Sequence, residues 1–176
     1  MGCDTNFDWW GGITGNGLKN SLIAYNTFVN ARSRSNFRID DGGGTGVHTN
    51  ARIQNNIFLQ EDSTPITDVS HVSAIRWSNN LWSKSPSSTA SGSGDIVGDP
   101  RLAKTGSTVA GQLTGNYFKL VSTSPAIDKG AVISDVTDDF FGTKRPVGTY
   151  PDIGGHEYGG TNPNPVSPPV NLRIVN

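Results

Sequence analysis

Arg38, Ile39 and Asp40 set a guanidinium and a carboxylate two residues apart, on one face of the chain if the segment is extended. Asp41 follows directly, His48 stands after the run Gly42-Gly43-Gly44-Thr45-Gly46, and Arg76 lies in a later strand-like segment. A cation, carboxylates and an imidazole are the materials of general acid–base work. The same residues also suit a solvated strand face, and Asp40-Asp41 before glycines suits a turn. Asp135, Asp138 and Asp139 fall within five residues and offer clustered oxygens to Ca²⁺. Their spacing fits neither an EF-hand loop nor the GGxGxDxUx repeat, and residues 138 and 139 face opposite ways if extended. Trp9, Trp10, Trp77 and Trp82 are available to stack on sugar rings while Asn, Asp and Arg bond hydroxyls. The alternative is that most of these aromatics fill a core.

Any such site needs a scaffold, and the chain repeats itself. Three segments align on their asparagines: Ser21 to Phe28, Ala51 to Phe58, and Ala74 to Trp82. Each reads as a short alternating strand, an Asn, one residue and an aromatic. Asn26, Asn56 and Asn80 are 30 and then 24 positions apart, a spacing that fits one coil of a solenoid. Leu22, Ala24, Asn26 and Phe28 alternate with period two, so the segments are β. A polar residue recurring once per coil stacks on its copies, amide to carbonyl. Asn also tolerates the left-handed backbone of a sharp corner. Phe28, Phe58 and Trp82 are expected to stack in the core in the same way.

Composition agrees. Only 34% of residues are apolar and 16% charged, with Gly, Asn, Ser and Thr making up the difference, as turn-rich β proteins do. A net charge of −1 with no basic run excludes an electrostatic case for nucleic acid. No apolar stretch is long enough for a membrane span. Cys3 is the one cysteine, so no internal disulfide forms.

Residues 9 to 83 resemble the repeats of right-handed parallel β-helix proteins, the pectate-lyase superfamily, whose rungs read like "IxNNxF". The resemblance implies an all-β solenoid. It also implies the family's lyase chemistry: a Lys or Arg base removes the proton α to a uronate carboxylate beside Ca²⁺-bound carboxylates. Arg38, Arg76, Asp40, Asp41 and His48 are the residues here that such a site draws on, but no lyase family motif is present. The NTD, DD and GHG runs of polygalacturonase-like relatives are absent too.

Further on come Gly98-Asp99-Pro100-Arg101-Leu102, Tyr117-Phe118-Lys119-Leu120, Ser124-Pro125-Ala126-Ile127-Asp128-Lys129-Gly130, Asp139-Phe140-Phe141-Gly142, Arg145-Pro146 and Asp152-Ile153-Gly154-Gly155-His156-Glu157. This ordered set is similar to the choice-of-anchor Q region that closes many bacterial β-helix proteins. It implies a secreted or cell-surface setting.

The organisation expected is therefore β-helix coils over 1–95, a C-terminal cap over 96–160, and a Pro/Asn-rich linker or tail over 161–176. Residues 83 to 95 read as a flexible loop. The cap is expected to close the solenoid end, with Asp128 bonding backbone N–H groups, Asp139 paired to Arg145, and Asp152 held near Gly154. The sequence starts inside a repeat, which suggests missing coils and self-association through an exposed first coil. The function expected is a structural or carbohydrate-contacting end of an extracellular β-helix protein, not catalytic by itself. A polysaccharide lyase or hydrolase, with Ca²⁺, is the alternative, and an adhesin or phage tailspike fragment a further one.

Overall fold

A computed structural model describes residues 4–10, 16–40, 47–70, 74–109 and 111–160. Asp41, the glycine run after it and the tail at 161–176 lie outside them. The described chain is all-β with two short 3-10 turns, and every pairing between its named strands is parallel.

Among the described residues, twelve strands form four sheets. β1 (Thr5–Trp10), β5 (Ser35–Asp40) and β9 (Thr67–Val69) make one. β3 (Leu22–Ala24), β7 (Ala51–Gln54) and β10 (Ile75–Ser78) make the second. β4 (Thr27–Val29), β8 (Ile57–Leu59), β11 (Leu81–Trp82) and β12 (Ile96–Val97) make the third. β2 (Asn16–Lys19) pairs with β6 (Val47–Thr49). Parallel neighbours need a long crossover. Here every crossover but the last, from β11 to β12, contains strands belonging to the other sheets, and Phe7 meets Phe37, Ile23 meets Ile53 and Phe28 meets Phe58, all 30 residues on.

In-register pairing turns the sequence repeat into columns of like side chains. Ile23, Ile53 and Trp77 form one. The rings of Phe28 and Phe58 stack at 5.2 Å, and those of Phe58 and Trp82 at 4.0 Å and 9°. Phe7 and Phe37 stack at 4.4 Å. Each such aromatic pair adds about 1 kcal/mol beyond its buried area.

The corner between the second and third sheets divides its work between two positions. Tyr25, Asn55 and Asn79 take the left-handed conformation, with φ of 55°, 58° and 52°. The next residues, Asn26, Asn56 and Asn80, make the ladder. Asn56 Oδ1 accepts the Asn26 N–H and Nδ2 at 3.0 Å, and Asn80 Oδ1 accepts the Asn56 N–H at 3.0 Å and its Nδ2 at 3.2 Å. A single Asn serving both purposes was the simpler expectation. The structure separates them because an inward-pointing amide and a corner-turning backbone belong to different residues.

Residues 83–95 are not a loose loop. Ser78 bridges to Ser93, Leu81 to Ile96 and Trp82 to Val97, so the segment supplies one more, shorter turn of the stack. Ala90, in a 3-10 turn over Ser88–Ala90, is fully buried in the aromatic core. Gly92 lies so close beneath that a Cβ there would fall 1.7 Å from the Trp77 carbonyl oxygen.

The region after β12 packs on the flank of the stack. Leu102, Leu120, Ala126 and Ile153 pack on Ile57, Leu59 and Leu81, the outward residues of the third sheet, in a second apolar core. Each fully buried Leu or Ile contributes on the order of 2 kcal/mol. Gly154 N–H reaches the Asn55 carbonyl, and Gly155 N–H reaches Thr27 Oγ1. At Gly154, φ is +95° and a Cβ would stand 2.5 Å from Ile57 Cδ1, so this contact needs glycine.

Candidate functional site

The outward face of the first sheet gathers most of the charge that the sequence offered. Alternation along β5 sends Phe37 and Ile39 into the core and Arg38 and Asp40 outward. Register then sets Asp8 and Asp68 on either side of Arg38, each 30 positions away, and Trp10 beside Asp40. Arg38 Nη1 donates to Asp8 Oδ1 at 2.8 Å, its Nη2 to Asp40 Oδ2, and its Nε lies 3.3 Å from Asp68 Oδ2. Arg34 approaches Asp68 from outside, at 3.7 Å.

The Arg38 side chain is only 7% exposed while Asp8 and Asp68 remain about half open. Burial by itself would lower the guanidinium's pKa, but the hydrogen bond that Arg38 donates to Asp8 and the charges of Asp8, Asp40 and Asp68 outweigh it and raise it. A guanidinium held this way keeps its proton and is closed to a substrate. Three carboxylates against two cations, Arg38 and Arg34, leave the face slightly acidic, with open oxygens that accept hydrogen bonds.

The tryptophans separate. Trp10 is 65% exposed on this face. Trp9, one residue earlier, turns inward, is half-buried against the core, and lies 5.3 Å from the His48 ring. Trp77 is buried beside Phe37 and Trp82, which removes it as a stacking platform. His48 is itself buried on β6, where Nδ1 accepts the Leu18 N–H at 3.0 Å. Arg76 is exposed on the second sheet and so is not brought to Arg38. Asp41 lies outside the described residues.

In the flank region Asp135, Asp138 and Asp139 do not converge. Asp138 pairs with Lys144 at 2.9 Å, and Asp135 Oδ1 takes the Ser134 hydroxyl. Asp139 is buried and accepts N–H groups of Phe141, Thr143 and Glu157. Among the described residues no group of three acids, histidines or cysteines is placed to hold a metal ion. The expected Asp139–Arg145 pair is replaced. Arg145 binds Glu157 at 2.7 Å, with both side chains almost fully buried, donates to the Asp152 and Gly154 carbonyls, and stacks on the Tyr25 ring at 4.2 Å. Asp152 accepts the Asp128 and Tyr158 N–H groups, and Asp128 Oδ1 accepts that of Tyr150.

Sequence reasoning missed Asp8, Asp68, Asp95 and Glu157. For the first two the signal was present: they lie one repeat before and one after Arg38. The chain matches no family model, and no curated protein matches it.

Proposed function

We propose that this chain is the C-terminal part of an extracellular right-handed parallel β-helix protein, and that the face of its first sheet contacts carbohydrate without turning it over. The parallel, in-register pairing of successive repeats and the asparagine ladder support the solenoid, and parallel crossovers are right-handed in about 98% of cases. The ordered motifs from Asp99 to Glu157, similar to a choice-of-anchor Q region, support a secreted or cell-surface setting.

The observation that carries the contact is Trp10, 65% exposed, sharing its face with Asp8 and set in register beside Asp40. A flat indole stacks on a pyranose face while carboxylates take its hydroxyls. Arg38, held protonated by three acids, is poorly suited to act as a lyase base. The test is retention of the chain on a panel of immobilised neutral and acidic glycans. Retention that falls at least tenfold in Trp10→Ala, without release of unsaturated uronate, agrees with the proposal. Equal retention of Trp10→Ala overturns the site, and an ultraviolet-absorbing unsaturated product favours the lyase alternative. Self-association belongs to the same proposal: β1, β3 and β4 each have a strand neighbour on one side only among the described residues, and such edges recruit further strands.

A further inference from the structure

The molecule sorts its charge by face. The outward positions of the second sheet fall in two columns, Leu22–Arg52–Arg76 and Ala24–Gln54–Ser78, and contain no carboxylate. Arg52 and Arg76 are exposed and directly opposite one another on neighbouring strands, about 4.8 Å apart at the backbone. Among the described residues neither side chain has a hydrogen-bond or ion-pair partner. Of the other described arginines, Arg34, Arg38, Arg101 and Arg145 are engaged; Arg32, before β5, has no such partner either, so what sets Arg52 and Arg76 apart is that they are register neighbours on one face. Like charges directly opposite in a sheet repel and destabilise it. An anion between the two guanidinium groups removes that repulsion, and each planar fork can take a carboxylate or sulfate through two parallel bonds.

We propose that this face is a second glycan site, selective for acidic polysaccharide. Arg52 and Arg76 grip carboxylate or sulfate groups of a chain laid along the stack, across the strands. Leu22, 36% exposed at the head of the column, offers apolar surface to the sugar ring. The first sheet, with Asp8, Asp40 and Asp68, repels the same polymer. Nucleic acid is a poorer fit. None of the six outward positions is an aromatic that could stack a base. The site is independent of Trp10 and rests on the earlier reading only for the ligand's being a glycan.

Affinity electrophoresis of the whole chain through gels containing polygalacturonate, dextran sulfate or neutral dextran tests it. Retardation is expected with a polyanion and not with dextran. Whether polygalacturonate, dextran sulfate or both retard the chain identifies the anion. Arg52→Gln and Arg76→Gln should each weaken binding about tenfold, and the double variant should abolish it. Both positions are exposed, so the variants should melt no lower than the parent. Trp10→Ala should leave this binding unchanged even if neutral-glycan retention is lost. Equal mobility in all three gels overturns the proposal, as does undiminished binding by the double variant or tighter binding of single-stranded nucleic acid.

Discussion

Asp95 stands one turn of the stack beyond Asn80 and takes its backbone N–H on Oδ1 at 2.8 Å, as Asn80 does for Asn56 and Asn56 for Asn26. The ladder therefore has four members and ends on a carboxylate. Chemistry explains the change of residue. Asn56 and Asn80 both accept and donate, but the last member meets donors only. Asp95 Oδ2 accepts the Trp82 indole N–H at 2.9 Å and the Gly92 N–H at 3.0 Å.

Asp95→Asn should consequently fail to substitute for the parent. Its amide NH₂ would face one donor or another, whichever way it flips. A loss of about 1–3 kcal/mol is expected, and at least as much for Asp95→Ala, which leaves buried N–H groups unmet. Urea unfolding at constant m-value measures it. An Asp95→Asn variant as stable as the parent would show that the ladder's end has no need of a carboxylate.

Position within the ladder should set the cost of losing an amide. Asn56 is fully buried; it accepts two bonds from Asn26 and donates to the Ile23 and Gln54 carbonyls. Asn26 is exposed and donates to Ala24 and Asn56. Asn56→Ala should cost about 2–4 kcal/mol and Asn26→Ala less than about 1 kcal/mol. Equal costs would mean that the bonds, not their burial, dominate.

The repeat was legible because stacking demands it: residues 26, 56 and 80 announced the columns that the register then realises. Apolar residues on both sides of a strand, as in Ile57-Phe58-Leu59, also carried a message, that both faces are covered. The motifs after residue 98 do not say what they lie against, so the packing of Leu102, Leu120, Ala126 and Ile153 on the third sheet is not legible in them. Charge was harder. Asp8, Arg38 and Asp68 are ordinary one by one and become a unit only when the 30-residue period is applied to polar positions. Residues 83–95 misled through composition, since Ser and Gly here serve a tight turn under Trp77 rather than mobility.

Arg145 and Glu157 should behave as a buried pair whose halves cannot be removed singly. Glu157 also accepts the Val147 and Asp152 N–H groups, so Glu157→Gln strands a buried cation and weakens two backbone contacts. Arg145→Met strands the carboxylate and removes the cation stacked on the Tyr25 ring. Each should cost about 3–5 kcal/mol, while a joint apolar replacement recovers part of the loss. The expected signature is local: the flank lifts from the third sheet, exposing Ile57 and Leu81 to a hydrophobic dye before the stack melts. Simultaneous loss of both would show one cooperative unit.

Two buried groups in the flank region should cancel each other's pH dependence. Burial pushes Asp152 up from 3.8 to about 6, against the pull of the Tyr158 and Asp128 N–H groups. Burial pushes His156 down from 6.5 to about 4, consistent with Nδ1 accepting the Leu120 N–H, a bond that protonation breaks. Asp152 binds its proton more tightly when folded, so its contribution is full below about pH 4 and is lost as pH rises through about 6. His156 binds its proton less tightly when folded, so its contribution is full above about pH 6.5 and is lost as pH falls through about 4. Over about pH 4–6 the slopes oppose, and the parent should show a plateau in urea midpoint. Asp152→Asn should leave a midpoint that rises with pH across this window. His156→Asn, whose side-chain oxygen can still accept from Leu120, should leave one that falls. Profiles parallel to the parent's in both variants would mean that neither group titrates differently on folding.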